Sequence, residues 1–296
     1  MSIPFRRDDA LPPGAVEQVS PLVRRVLCDN PSAFTFRGTN TWIIGRGRVA
    51  VLDPGPEDAA HHDALLRALD GETVTHILVS HTHRDHSPGA AALKAATGAP
   101  TLGFGPHLTP PDRGGEGGDH GFVPDRRLAD GEWVQGEGWR LQALHTPGHC
   151  ANHLCFALDE EGTLFSADLV MSWSTSVVSP PDGDMADYMA SLARLLGRAD
   201  RRYAPGHGPL LPEPLAFVAA LAEHRREREA AILAALGAAG RADAAALVPP
   251  VYGPSLDPRL VPAAARSLLA HLVKLEREAA VRREGEAWLP GGTPRG

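Results

Sequence analysis

The sequence predicts an α/β protein followed by a smaller, mainly helical region. Short runs of β-branched and aliphatic residues alternate with turn residues through the first two thirds of the chain, which is typical of strands. From about Pro212 the pattern changes to long, alanine-rich amphipathic segments, which favour helices. A chain of 296 residues has room for one large domain and an appendage. We therefore expect one domain over residues 1–212 and a second over residues 213–296.

The first region is predicted to begin with a hairpin, whose strands cover residues 41–45 and 48–53. Ser87 and Pro88 predict the N-cap and first position of a helix, and Gly98 predicts its end. The remaining predicted elements of this region are strands over residues 75–80, 139–144, 153–158 and 163–166, and a helix over residues 187–196.

The C-terminal region is predicted to contain helices over residues 215–236 and 262–283, with a loop at residues 248–258 between them. Residues 280–290 alternate in polarity around Gly285, as a small hairpin does. Helices followed by a two-stranded wing indicate a winged-helix type of module.

The composition disfavours several classes of protein. Hydrophobic residues make up 43% of the chain and charged residues 22%, near the average of soluble globular proteins, so disorder and coiled coil are disfavoured. No apolar run reaches the roughly 18 residues of a spanning helix, and the N-terminal segment lacks the apolar core of a signal peptide. Three cysteines without a CxxC pair predict reduced thiols. We therefore expect a cytoplasmic protein with no membrane partner.

Histidine is the residue type that first points to chemistry, with 14 copies in the chain. Four candidate ligands, His81, His83, Asp85 and His86, fall within six residues directly after an apolar strand. In extended backbone, residues two apart point to the same side, so His81 and His83 can share one ion while Asp85 and His86 reach a second. Chance gives such a cluster in this composition about once in five hundred chains, so the segment predicts a metal site.

Three further candidates each follow a predicted strand. His149 ends the sequence Thr-Pro-Gly-His, Asp168 follows the strand TLFSA, and His207 lies in Pro-Gly-His-Gly. A proline-glycine turn fixes the backbone and lets an imidazole project from a strand end, which suits a metal ligand. Each signal is weak by itself, and their order along the chain carries the interpretation.

The ordered set HTHRDH, TPGH, SAD and PGHG resembles the metallo-β-lactamase-fold hydrolase superfamily, and within it the glyoxalase II-like pattern that holds two metals. The resemblance implies an αββα sandwich with a C-terminal, mainly helical, winged-helix-like domain. Ala167 stands where a glycine often precedes the bridging aspartate, and we expect it to crowd the turn slightly. The ligand sets implied by the resemblance are His81, His83 and His149 for one ion, Asp85, His86 and His207 for the other, and Asp168 as the bridge.

Two Zn²⁺ ions would fit this mixture of imidazoles and carboxylates, although iron or manganese would also accept these ligands. Ions about 3.5 to 4 Å apart would share a water, lower its pKa toward 7 and so supply a bridging hydroxide as the nucleophile. Asp85 and Asp168 are therefore the residues to which we assign a catalytic as well as a metal-binding role.

Three neighbours of the candidate ligands allow two interpretations each. Asp53, at a strand end before Pro54, could orient a ligand imidazole, as the resemblance implies, or be a turn aspartate. His153 is a second candidate for orienting a ligand, but we favour a hydrogen-bonded core histidine, and Cys150 adjoins His149 without a thiolate partner, so we favour packing over a reactive role.

A closer resemblance extends over nearly the whole chain. Asn40-Thr41, the DYxxSL motif from Asp187 and the HRxxRE motif from His224 are similar to the β-lactamase-like protein 2 family, whose members carry a C-terminal winged-helix-like domain. For HRxxRE we favour an interdomain contact or a solvated helix face over a substrate role.

The resemblance implies two substrate classes, single-stranded RNA and acyl-carrier-protein thioesters. Residues 213–296 contain 11 basic and 10 acidic side chains, and residues 1–212 contain 18 and 26, so neither region has the basic excess of a nucleic-acid binder. We therefore expect a hydrolase acting on a small-molecule ester or an acyl thioester, with a single-stranded-RNA endoribonuclease as the alternative. A non-catalytic winged-helix nucleic-acid-binding protein is the third hypothesis, and the complete ligand set argues against it. The sequence does not indicate the oligomeric state.

Overall fold

The structure is a computed structural model that describes residues 3–113, 117–254 and 256–291. Two sheets form its centre. The first sheet has seven strands in chain order: β1 (Val16–Ser20), β2 (Val23–Leu27), β3 (Asn40–Ile44), β4 (Arg48–Leu52), β5 (Thr73–Leu78), β6 (Thr101–Gly103) and β7 (Arg126–Arg127). Strands β1 to β4 pair antiparallel, and β4 to β7 pair parallel.

The second sheet has six strands: β8 (Trp133–Gly136), β9 (Trp139–His145), β10 (Leu154–Leu158), β11 (Thr163–Ala167), β12 (Arg202–Pro205) and β13 (Leu211–Pro212). Its spatial order is β13-β12-β11-β10-β9-β8, and its pairs are antiparallel except for the parallel pair β11 and β12. The helices are α1 (Ala59–Ala68), α2 (Gly89–Thr97), α3 (Met185–Leu196), α4 (Pro214–Ala239), α5 (Val248–Tyr252) and α6 (Val261–Arg277). The wing consists of β14 (Val281–Glu284) and β15 (Ala287–Pro290).

Three apolar layers hold the first domain together. Trp42, Trp139 and Phe165 belong to the layer between the two sheets. Helices α1 and α2 pack on the outer face of the first sheet, and α3 with the first half of α4 packs on the outer face of the second. Burial of these faces is the main favourable term in folding. The result is the αββα sandwich that the resemblance implies.

Local signals set the helix ends. The Asp58 side chain accepts a hydrogen bond from the backbone N–H of His61 and so caps α1, and Asp184 caps α3 in the same way. Gly98 ends α2 at a φ of +72°, a left-handed conformation that glycine adopts without strain. Ser87, predicted as the cap of α2, instead donates its hydroxyl to Asp119, because Pro88 occupies the cap position.

The C-terminal region differs from the prediction at two places. The segment predicted as a loop contains the short helix α5, which half-buries Val251 and Tyr252 against the C-terminal core; Ser255 of that segment lies outside the described residues. The last helix ends at Arg277 and not at residue 283, because the chain turns through Ala279, at a φ of +59°, to place β14 beside β15.

Helix α4 belongs to two cores. Phe217 and Leu221 in its first half pack into the core of the second sheet, whereas Ile232 and Leu236 pack with α6 and the wing. The domain boundary at residue 212 stays a prediction, and a long helix physically joins the two regions. No helix among the described residues is long and apolar enough to cross a membrane.

Candidate metal centre

All seven predicted ligands lie in segments that follow strands. Four of them lie in the loop after β5, His149 lies in the turn between β9 and β10, Asp168 directly follows β11, and His207 follows β12. These strand ends meet at one edge of the sandwich, so side chains far apart in sequence come together. The structure brings all seven into one cluster, and their assignment as ligands stays a prediction.

The first triad brings three imidazole nitrogens together. His83 Nδ1 lies 3.1 Å from His81 Nε2 and 2.9 Å from His149 Nε2. Nitrogens bound tetrahedrally to zinc lie about 3.3 Å apart, so the observed spacing is close to that of three ligands around one ion. The group of His81, His83 and His149 therefore has the geometry of a metal site.

The second triad combines two imidazoles and a carboxylate. His207 Nε2 lies 3.3 Å from His86 Nε2 and 3.2 Å from Asp85 Oδ2, and the latter two atoms lie 3.5 Å apart. These distances again match donors that converge on one position.

Asp168 lies between the two triads. Its Oδ2 is 3.6 Å from His149 Nε2 of the first triad and 3.4 Å from His207 Nε2 of the second, and its Oδ1 is 3.6 Å from His86 Nε2. The side chain is buried, and within the described ranges its Oδ1 has no hydrogen-bond partner. A buried carboxylate oxygen without a partner is costly unless a cation compensates it, so the donor set fits two metal ions.

Asp53 orients two of the candidate ligands. Its Oδ2 lies 3.0 Å from His86 Nδ1, and its carboxylate accepts hydrogen bonds from the Ser80 N–H and hydroxyl, both at 2.7 Å. The Ser80 hydroxyl in turn lies 2.9 Å from His81 Nδ1. Protons held at the Nδ1 atoms leave the Nε2 lone pairs of both rings free for a metal. This geometry supports the orienting interpretation of Asp53 over that of a turn aspartate.

Backbone carbonyls orient two more ligands. His149 Nδ1 donates to the Val177 carbonyl at 2.6 Å, and His207 Nδ1 donates to the Gly38 carbonyl at 3.1 Å. Sequence reasoning found neither carbonyl, because every residue carries one and no residue type marks it.

The electrostatics of the two triads differ. Burial lowers the pKa of His83 to about 3 and also lowers that of His81, so both rings are neutral donors. Burial alone would lower the pKa of His86 as well, but the carboxylates of Asp85, Asp168 and Asp53 outweigh it and raise that pKa to about 9. The negative charge of the site is therefore concentrated around the second triad and Asp168.

Two backbone positions shape the site. Gly206 lies so close that a Cβ there would come within 2.4 Å of Asp168 Oδ1 and 2.8 Å of His86 Cε1. Ala167 adopts a φ of +41°, where an L-residue is strained, as the expected crowding of this turn implies.

The remaining neighbours have structural explanations. His153 is buried, with Nδ1 3.0 Å from the Thr146 hydroxyl and Nε2 accepting from the Asp168 N–H at 3.3 Å, as a hydrogen-bonded core histidine would be. Burial raises the pKa of the Cys150 thiol well above its ordinary value, so this thiol suits packing and not nucleophilic attack.

Asp182 is a residue that sequence reasoning missed. It is buried, its Oδ1 accepts from the Thr109 hydroxyl at 3.0 Å, and its Oδ2 lies 3.9 Å from His83 Nε2 and from His107 Nε2. An aspartate in a Pro-Pro-Asp-Gly sequence is typical of a turn, so no local signal separated it from other turn residues.

One residue of the HRxxRE motif, Arg225, contacts the first region. Arg225 is buried, donates to the Ser176 carbonyl at 2.5 Å and lies over the Tyr188 ring at 5.1 Å. The next residue, Val177, supplies the carbonyl that holds His149. Helix α4 therefore fixes the segment that orients the His149 ring, and the interdomain contact is one of the two interpretations that the sequence left open for this motif.

A pocket of about 630 Å³ opens beside the two triads. One side of it comes from the segment before β3, another from the segment after β11, and Arg266 of α6 adds a side chain from the C-terminal region. A ligand pocket usually combines an apolar wall with a few polar groups, and this one does so next to the seven candidate ligands.

Comparison with known proteins gives a family for both regions. A model of the metallo-beta-lactamase superfamily matches residues 34–207, and a model of the beta-lactamase associated winged helix domain matches residues 244–288.

Three curated relatives are similar over most of the chain. The lactamase-like protein adaB of Aspergillus niger is 34% identical over 75% of this chain, and the match covers 66% of that relative, slightly under two thirds. The atrochrysone carboxyl ACP thioesterase of Passalora fulva is 34% identical over 82% of this chain and 71% of its own length. The beta-lactamase-like protein 2 homolog of Drosophila melanogaster is 33% identical over 90% of this chain and 92% of its own.

Solved structures share the fold. A beta-lactamase domain protein from Burkholderia ambifaria aligns with a TM-score of 0.79 over 96% of both chains, at 23% identity. The protein TTHA1623, solved in a di-iron-bound form, aligns with a TM-score of 0.50 at 29% identity, over 60% of this chain and 91% of its own. With both regions matched, this chain belongs to the metallo-beta-lactamase superfamily and carries the associated winged helix domain.

Proposed function

We propose that this protein is a dinuclear zinc hydrolase that cleaves a small ester or acyl thioester with a hydroxide held between the two ions. The observation that carries the proposal is the position of Asp168, which contacts both donor triads and leaves a buried oxygen without a hydrogen-bond partner in the described part of the chain. Two bound ions would supply an activated water and polarise the substrate carbonyl. The similar protein TTHA1623 was solved in a di-iron-bound form, which supports a site for two ions and makes iron an alternative to zinc as the native metal.

The residues of the chain would prepare the site before substrate binds. Asp53, Ser80 and the Val177 and Gly38 carbonyls hold protons at the Nδ1 atoms of four imidazoles, directing the Nε2 lone pairs into the cluster. Such fixed donors need little rearrangement during reaction.

The chemistry of the pocket favours a thioester over an alkyl ester, because a thiolate leaving group does not need a proton donor. A thiol has a pKa of about 8.5, so its thiolate can leave near neutral pH without being protonated. Among the described residues that line the pocket there is no lysine or tyrosine that could protonate a leaving alkoxide. The thioesterase name of the Passalora fulva relative supports the same substrate class.

The charges of the wing give little support to nucleic-acid binding. Arg282 and Arg283 on β14 pair with Glu284 and Glu286, so their charge is compensated within the wing. The chain as a whole carries a net charge of −7. A nucleic-acid binder usually presents an uncompensated basic surface.

Metal analysis and a substrate panel test the proposal together. We expect two metal ions per chain, and turnover of acyl thioesters that Asp168→Ala abolishes while circular dichroism stays unchanged. Asp63→Ala, at an exposed position on α1, is the matched control and should keep parental turnover. Less than one ion per chain, or near-normal turnover in Asp168→Ala, would refute the dinuclear model. Cleavage of short single-stranded RNA that depends on Asp168, without thioester turnover, would establish the alternative.

A further inference from the structure

The pocket beside the metal triads has an apolar wall. Phe34 is 53% exposed, Val177 is 38% exposed, and Met171 and the Pro180-Pro181 pair complete this surface. Apolar side chains are usually buried, and a group of them lining a cavity next to reactive residues indicates a ligand surface. This wall suits the hydrocarbon part of an acyl group.

Arg84 places a positive charge at the rim of the same pocket. It lies within the HTHRDH segment, between two candidate ligands, and its side chain is exposed. Its Nε donates to the Gly118 carbonyl at 3.2 Å, and its backbone N–H donates to the Gly117 carbonyl at 2.7 Å. These bonds hold the guanidinium in position before a ligand arrives.

Arg266 brings a second positive charge from the C-terminal region. It is half-buried on α6, between the core residues Ala264 and Leu268, so packing fixes its place on the helix. An ion pair between Arg277 of α6 and Asp184 ties this helix to the segment that forms the pocket wall. The two arginines therefore belong to elements whose positions are set by other contacts.

The pocket that these two arginines line also contains three carboxylates. Two of its three carboxylates, Asp85 and Asp168, belong to the metal triads, where bound cations would compensate them. The third, Asp182, accepts a hydrogen bond from the Thr109 hydroxyl through Oδ1, and its Oδ2 lies 3.9 Å from the Nε2 atoms of His83 and His107. Guanidinium groups bind carboxylate and phosphate oxygens with paired, charge-assisted hydrogen bonds.

We propose that Arg84 and Arg266 form a subsite for an anionic group of the substrate, so that the enzyme prefers anionic acyl thioesters over neutral ones. This inference rests on the proposed function and adds a specificity role for the C-terminal domain. The anionic group is a carboxylate on the acyl part or a phosphate on the thiol arm. Water adds across the C–S bond in either case, giving a carboxylic acid and a thiol.

Matched thioesters test the subsite on the full-length, metal-loaded protein. Glutaryl and butyryl thioesters of N-acetylcysteamine differ in a carboxylate on the acyl part, and butyryl-phosphopantetheine adds a phosphate to the thiol arm. For each protein we compare kcat/KM for an anionic substrate with kcat/KM for neutral butyryl-N-acetylcysteamine. We expect this ratio to fall about tenfold or more for one of the anionic substrates in Arg266→Gln and in Arg84→Gln, because each variant loses one charge-assisted hydrogen bond. The charge reversal Arg266→Glu should favour the neutral substrate.

Arg259→Gln is the control, because Arg259 lies in the C-terminal region and is 88% exposed in its pair with Asp257. It should keep the parental ratio. Thioester turnover with an unchanged ratio in all three pocket variants would overturn the subsite and leave the proposed function intact. Absence of metal-dependent turnover for every ester and thioester would overturn the proposed function, and the subsite with it. RNA cleavage that weakens equally in both arginine variants would assign these residues to a nucleic acid and contradict the inference.

Discussion

Gly206 shows how a residue without a side chain shapes the candidate metal site. A Cβ at this position would come within 2.4 Å of Asp168 Oδ1, so the Asp168 carboxylate would have to move. We expect Gly206→Ala to lose at least one of two metal ions and most of its activity, while the melting temperature of the metal-free protein changes little. Metal analysis and calorimetry measure both effects.

Gly237 provides the control for this substitution. It lies on α4, and an added Cβ would meet no atom within 4 Å. Gly237→Ala should leave the metal content unchanged and stabilise the fold by up to about 1 kcal/mol, because alanine is the better helix former. Full metal content in Gly206→Ala would show that the bridge tolerates displacement.

His61 predicts that the protein becomes less stable in acid. Its Nε2 lies 2.8 Å from the Thr41 hydroxyl, and burial lowers the pKa of its ring to about 4 from the ordinary 6.5. Between these pH values the unfolded chain binds a proton that the folded protein excludes. This difference in proton binding therefore has no effect on the free energy of unfolding above pH 6.5. Below that pH it lowers the free energy of unfolding by up to about 1.4 kcal/mol per pH unit as the pH falls toward 4.

Denaturant unfolding of parent and His61→Gln at pH 8 and pH 5 checks this prediction. A glutamine amide can replace the hydrogen bond to Thr41 but does not titrate. We expect the stability gap between the two proteins to shift in favour of His61→Gln at pH 5. An equal gap at both pH values would mean that the pKa of His61 is the same in the folded and unfolded states, and it would contradict the prediction.

At the scale of elements, α4 contacts the segment after β11 that orients one of the candidate metal ligands. Arg225 holds the Ser176 carbonyl, and the adjacent Val177 carbonyl holds His149 Nδ1. We expect Arg225→Met, which keeps the side-chain volume but removes the donor, to release metal at several-fold to about tenfold lower chelator concentration. Arg225→Lys should restore part of the affinity, because its ammonium can still donate to a carbonyl.

Arg228, one turn later on α4, separates this effect from general loss of stability. It donates to the Val251 carbonyl at 2.8 Å and stacks on Tyr252 within the C-terminal core. Arg228→Met should lower the melting temperature without changing chelator sensitivity. Equal chelator sensitivity in both methionine variants would contradict a positioning role for Arg225.

The strands and helices were predictable where the signal is local. Short aliphatic and β-branched runs located β3, β4, β9, β10 and β11 to within about two residues, and Gly98 located the end of α2. The end of α6 was wrong, because the helical apolar spacing continues past Arg277 while pairing with β15 draws the chain into a strand. Tertiary pairing overrides local propensity at such boundaries.

At the scale of the whole molecule, the C-terminal region is tied to the first domain through one continuous helix and several contacts. The first half of α4 is buried in the core of the second sheet, and its second half is buried against α6. Arg266 reaches the pocket from this region. A compositional boundary near residue 212 describes the sequence well but does not show which core each half of the helix completes.

The sequence by itself determined the family, the layered α/β architecture and the identity of the candidate ligands, because histidine, aspartate and glycine types and strand-end turns are local features. The tertiary structure decided which ligand atoms converge, that Asp168 lies between the triads, and that Asp182, Arg225 and Arg266 surround the site. These contacts join segments far apart in the chain, and several use backbone carbonyls that every residue carries. Their partners are set by packing in three dimensions, for which a single sequence holds no local signal.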